Sequence, residues 1–159
     1  MLSLNEILNL PDRHEAFYML ADYYSSTSDN ERENIRKSWD FNKEWIYPNY
    51  KTLAVSLPGE RTCEERIRAS LIFDSIGEYK APDFRETLIG FCLIYHSAIE
   101  IGLDPKKLFE EVAQISSPNF AIELKRFIDR SEEDKALEAF GLKRIIEKDG
   151  KVYFQMKPL

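Results

Sequence analysis

Apolar residues recur along this chain mostly three and four positions apart, the spacing of helices packed through one face. Ser3-Leu-Asn-Glu6 has the form of a capping box, in which hydroxyl and carboxylate satisfy backbone N–H groups at a helix start. It predicts a short helix to about Leu10. Pro11-Asp12 opens a second helix through about Ser25, with Ala16, Phe17, Leu20, Tyr23 and Tyr24 at helical spacing. The polar stretch 25–30 reads as a loop ending in a cap, before a charged helix that turns Ile35 and Trp39 inward. Thr62-Cys-Glu-Glu65 is another capping box. It starts a helix to about Ile76 with Ile67, Leu71 and Ile72 inside, stopped by Gly77.

The pattern changes between Leu88 and Tyr95, where almost every residue is apolar within a helix predicted over about 83–101. A helix apolar on all sides is a central one, and Gly90 within it suits close approach by a neighbour. Gly102-Leu-Asp-Pro105 then supplies a stop, a cap and a first helical proline in order. Leu108, Phe109 and Val112 form the inner face of the helix that follows. Ser116-Ser-Pro118 starts another, with Phe120, Leu124, Phe127 and Ile128 inside, and Ser131 begins a shorter one ending at Gly141.

Two segments break the helical rhythm. From 142 to 156, two β-prone runs flank Asp149-Gly150, a strong turn signal that predicts a small C-terminal hairpin. Between Trp39 and Pro58 the pattern is irregular, and Leu53–Leu57 reads as either helix or a third strand. The expected fold is therefore mainly α: one compact multi-helix domain over 1–159, built around the 83–101 helix, with a hairpin at about 142–156.

Composition supports a packed core: 43% of the 159 residues are hydrophobic and 13% aromatic, with only 6 Gly and 7 Pro. A formal net charge of −6 disfavours nucleic acid and anionic membranes and is compatible with a basic protein partner. No apolar run reaches the ~18 residues needed to span a bilayer, and the first ten residues, with Glu6 and no basic run, do not form a secretory leader. A cytoplasmic location is the expectation. Cys63 and Cys92 both fall in apolar helical patterns and read as small hydrophobes rather than as a disulfide, metal ligand or nucleophile.

No glycine-rich phosphate loop, nucleophile elbow, zinc-binding helix motif or calcium loop occurs, so no catalytic residue, cofactor or metal is assigned. Three groupings are candidates. Trp39, Phe41, Trp45, Tyr47 and Tyr50 crowd the irregular segment, and stiff amphipathic rings dominate binding hot spots; the same rings also suit one end of a core. His96 and Glu100 lie one turn apart, with Arg85 near the same azimuth and His14 the chain's other histidine. That set could share a proton, although a metal would need a further ligand. The acidic run Asp129–Asp134, with Glu110 and Glu111, could attract a basic partner or simply be solvated helix ends.

The leading functional expectation is a small acidic protein-interaction module of the inhibitor or immunity type, with a protein partner. The alternative is an enzyme whose site on the central helix uses His96 and Glu100. A nucleic-acid-linked factor comes third, because it needs a local basic face such as Arg61, Arg66, Lys143 and Arg144.

Overall fold

The computed structural model describes residues 2–39, 53–55, 61–77, 84–129, 142–146 and 152–156. The chain is mainly helical, with seven helices among these residues: α1 (Leu4–Leu8), α2 (Arg13–Ser26), α3 (Asp29–Ser38), α4 (Cys63–Ile76), α5 (Phe84–Glu100), α6 (Pro105–Gln114) and α7 (Pro118–Ile128). Two short extended segments, β1 (Leu142–Ile146) and β2 (Val152–Met156), run antiparallel with Leu142 opposite Met156 and Ile146 opposite Val152. β2 lies against α5. Asp149-Gly150, and the helix expected from Ser131 to Gly141, fall outside the described residues.

Local chemistry explains most boundaries. Ser3 and Glu6 close the capping box reciprocally, at 3.2 and 3.3 Å. Asp104 accepts from the amides of Lys106 and Lys107 ahead of Pro105, and Ser117 does the same for Phe120 ahead of Pro118. At the end of α5 the chain reverses through Gly102, whose φ of +82° is left-handed backbone that a side chain resists. Leu103 N–H reaches the Ala98 carbonyl at 2.9 Å and Gly102 N–H the Ile99 carbonyl at 3.1 Å, the paired bonds of a Schellman turn.

Two boundaries differ from expectation. The 25–30 loop is shorter, because α2 continues through Ser26 and Ser28 caps α3. The Ser25 and Ser26 hydroxyls bond back to the Ala21 and Asp22 carbonyls, which lets both serines stay helical. Of the segment Leu53–Leu57 the structure describes only Leu53–Val55, a turn with Leu53 fully buried, and residues 56–57 fall outside the described part. Leu53 anchors the segment inward, and the Arg66 guanidinium holds it by donating to the Val55 carbonyl.

The core has two aromatic centres. Phe91 of α5 meets Phe109 of α6 and Phe120 and Phe127 of α7 edge-on, at 5.5–5.8 Å between centroids. On the other side, Phe73 of α4 packs against Phe17 of α2 at 4.4 Å and takes Trp39 edge-on at 4.9 Å. α4 touches α2, α5 and α6, so it joins the two centres. Among the described residues it is also the most enclosed helix, with buried residues from Arg66 to Ile76 around its whole circumference. In the expected centre, α5, Phe91, Cys92, Ile94 and Ala98 are buried and Leu93, Tyr95, His96 and Ile99 half-buried, while the side chains of 84–89 lie outside the described part. The polar side chains of α4 hid its position, because they are satisfied internally: Ser70 bonds to the Arg66 carbonyl at 2.8 Å and Ser75 pairs with Ser116 at 2.9 Å. No helix among the described residues is long and apolar enough to cross a membrane.

Behind both centres lies a buried polar clamp. The Tyr24 hydroxyl donates to the Ile115 carbonyl at 2.7 Å, and the Arg36 guanidinium donates to the same hydroxyl at 2.6 Å. It ties α2 and α3 to the C-terminal end of α6.

Candidate functional site

On α2, Tyr18, Ala21, Asp22 and Ser25 follow one another three, one and three residues apart and share one helical face. On α4 and its cap, Arg61, Glu64, Glu65, Arg68, Ala69 and Ile72 make the facing stripe. Between the two lies a groove of about 300 Å³. Ala21, Ala69 and Ile72 are buried at its floor, where small side chains keep it open, while charged residues stand on the rim.

The rim is an ion-pair network with too few cations. Arg61 donates to Glu15 at 2.6 Å and to Glu65 at 3.1 Å, lies 3.6 Å from Asp22, and sits 5.2 Å from the centroid of the Tyr18 ring. Arg68 contacts Glu111 of α6 at 2.6 Å and Glu64 at 3.5 Å. Among the described residues two guanidiniums thus serve five carboxylates, three of which, Asp22, Glu64 and Glu65, line the groove itself. Partial burial raises the Asp22 pKa, against the pull of Arg61 and with repulsion from Glu65 and Glu15 adding to it. The Asp22 side chain is still 74% exposed, so this is an effect of its neighbours with little weight in stability. Hydrogen bonding from Arg61 lowers the pKa of Glu65. Burial works against the charge of Arg61, but its bonds to Glu65 and Glu15 raise its pKa overall.

A wider cavity of about 620 Å³ opens between α6 and α7, lined by Lys106, Glu110, Ala113, Gln114, Lys125, Ile128 and Asp129. Its two lysines balance its two carboxylates, so it lacks the charge bias of the smaller groove, and size alone does not make it the better site.

The expected site residues scatter. Trp39 is only 5% exposed and belongs to the core against Phe73, while Phe41, Trp45, Tyr47 and Tyr50 fall outside the described residues. His96 Nε2 and Glu100 Oε1 do meet, at 3.0 Å on a partly exposed stretch of α5. His14 lies on the first turn of α2 with its ring edge-on to Tyr18 at 5.1 Å, and the Arg85 side chain is outside the described part. Neither histidine lines either cavity. Among the described residues no three His, Cys, Asp or Glu side chains are grouped to hold a metal ion. Neither Cys63 nor Cys92 forms a disulfide, and Cys92 is buried.

The basic face is not assembled from its described members, since Arg61 is held by carboxylates and Arg66 is buried against Val55. The side chains of Lys143 and Arg144 are outside the described part. Of the acidic groups, Glu111 joins the network through Arg68, Glu110 lines the wider cavity and Asp129 ends α7.

Asp74 on α4 is a separate case. Its Oδ2 is sealed from solvent with no hydrogen-bond partner, and burial pushes its pKa up to about 7. Perturbed carboxylates of this kind mark active sites when they face a cleft, and Asp74 lines neither cavity.

Sequence reasoning passed over the groove. Its signals were present as the i,i+4 pairs Arg61/Glu65 and Glu64/Arg68 and the small residues Ala21, Ser25 and Ala69 at helical spacing. Comparison of the chain with protein-family models, with curated proteins and with solved structures finds no match.

Proposed function

We propose that this chain is a small, acidic, cytoplasmic protein-interaction module of the inhibitor or immunity type, and that it meets its partner through the α2–α4 groove. The observation that carries the reading is the groove itself. Two packed helices hold an apolar floor within a rim of Asp22, Glu64, Glu65, Arg61 and Arg68, and both arginines are also held by carboxylates beyond the groove, Glu15 and Glu111. Rigid elements position contact residues better than loops do, and a charged rim speeds encounter with a complementary partner.

The test is affinity capture from the native host's lysate with the unaltered chain and with Ser25→Trp. Ser25 is exposed on the rim, so an indole there fills the groove without entering the core. One stoichiometric partner, lost in Ser25→Trp while the helical signal and melting temperature hold, supports the reading. Equal capture by both proteins removes the groove from it, and a blank with the unaltered chain removes the module itself. Trp45→Ala in the same experiment tests the aromatic segment, with loss of the partner and retention of the fold as the result that would favour it.

The 3.0 Å contact between His96 and Glu100 favours a second reading, an enzyme whose site is built on α5. Loss of a turnover activity in His96→Gln at unchanged stability would support it. The hairpin over 142–156, closed at Asp149-Gly150, is likewise proposed as part of the fold, on the antiparallel register of its two arms.

A further inference from the structure

We propose that the α2–α4 groove receives an arginine or lysine side chain from the partner, its alkyl stem on Ala21, Ala69 and Ile72 and its cationic head between Asp22 and Glu64. The inference rests on the groove reading above and names the chemistry of its occupant.

Charge is the first argument. Among the described residues Arg61 is shared by three carboxylates and Arg68 by two, so the groove's Asp22, Glu64 and Glu65 each share their cation with another anion. An incoming cation relieves repulsion among Glu15, Asp22 and Glu65, the same repulsion that helps raise the Asp22 pKa. A phosphate, nucleic acid or acidic lipid headgroup would add to that repulsion.

Shape is the second. At about 300 Å³ the groove has room for a long side chain, and its lining combines the buried apolar Ala21, Ala69 and Ile72 with the more exposed carboxylates Asp22, Glu64 and Glu65. Lysine and arginine are layered the same way, with a methylene stem that buries well and a head that stays at the polar edge. A purely apolar anchor would bury its tip but leave the negative charge of the rim uncompensated. Arg61 gives an internal precedent, since it already lies over the Tyr18 ring while donating to the rim. The wider α6–α7 cavity, with its charges balanced, offers a cation no such preference.

The experiment titrates the full chain, labelled with nitrogen-15, with the peptide acetyl-Gly-Arg-Lys-Arg-Gly-amide at low salt. The control peptide carries citrulline and acetyl-lysine in place of the charged residues. The expected result is saturable amide shifts confined to residues near 18–25 and 61–72, absent with the control. Binding should weaken by about tenfold or more in Asp22→Asn combined with Glu64→Gln. Both side chains are largely exposed, so the fold should survive the pair. Shifts spread over the surface without saturation, equal binding of the neutral peptide, or unchanged affinity in the double variant would each overturn the inference. If the peptide fails while Ser25→Trp still loses a captured partner, the occupant has other chemistry and the module reading stands. If both fail, the groove is ordinary surface.

Discussion

Replacing Asp74 should reshape how the stability of this protein depends on pH. Its Oδ2 is buried without a partner, and burial raises the pKa from an ordinary 3.8 to about 7. The raised value belongs to the folded state, so the folded chain holds its proton where the unfolded chain has released it. Stability is therefore full below about pH 4, falls as pH rises toward 7, and levels off above that. At about 1.4 kcal/mol per unit, the cost is about 1.7 kcal/mol at pH 5 and about 4 kcal/mol by pH 8. These are ceilings, because the residue as a whole is only half-buried. Urea unfolding followed by circular dichroism, at half-unit steps from pH 5 to 8, gives the profile for the natural chain and for Asp74→Asn. The difference between the two profiles isolates this group from every other titration. Asp74→Asn should gain on the natural chain by up to about 2.5 kcal/mol across that range, whatever its stability at pH 5. Parallel profiles would refute the reasoning, as would a direct carbon-13 titration that finds the Asp74 carboxyl ionising near 4.

Three further outcomes are expected. Tyr24→Phe leaves the buried Arg36, among the described residues, with a 3.5 Å contact to the Ile115 carbonyl, and should cost about 1–3 kcal/mol in urea unfolding at pH 7. Phe91→Ala empties the α5–α6–α7 centre and should cost about 3–5 kcal/mol, which calorimetry would read as a fall in melting temperature of about 10 °C. Gly102→Ala meets no neighbouring atom within 4 Å, so any loss is backbone strain alone, about 1–2 kcal/mol; a neutral result would mean that the turn relaxes.

Helix starts and stops were legible because each is encoded within four residues. Ser3/Glu6, Asp104-Pro105, Ser117-Pro118 and Gly102 all act where the local pattern places them. Which helix lies at the centre was not legible, because that depends on partners distant in the chain. Arg66, Ser70 and Ser75 make α4 look amphipathic until the Val55 carbonyl, the Arg66 carbonyl and the Ser116 hydroxyl are seen to satisfy them in turn. The Trp39 ambiguity has the same origin: an aromatic beside an irregular segment reads as surface or core, and only its contact with Phe73 decides. His96 and Glu100 were read as neighbours correctly, since one helical turn suffices to place them together. The groove needs two helices brought side by side, and single-helix spacing shows only its halves.

The Tyr24–Arg36–Ile115 clamp also constrains the order in which the chain can be completed. The acceptor on α6 lies 91 residues beyond the tyrosine that reaches it, while Arg36 is already present soon after α2. Helices α5, α6 and α7 follow each other directly and can collapse on their own aromatic centre through short loops. During synthesis the N-terminal helices emerge first, yet their buried cation has no carbonyl to dock on until Ile115 has left the ribosome. The half of the protein made first is thus the half that must wait for its last polar contact, which is supplied by a backbone oxygen 91 residues further on.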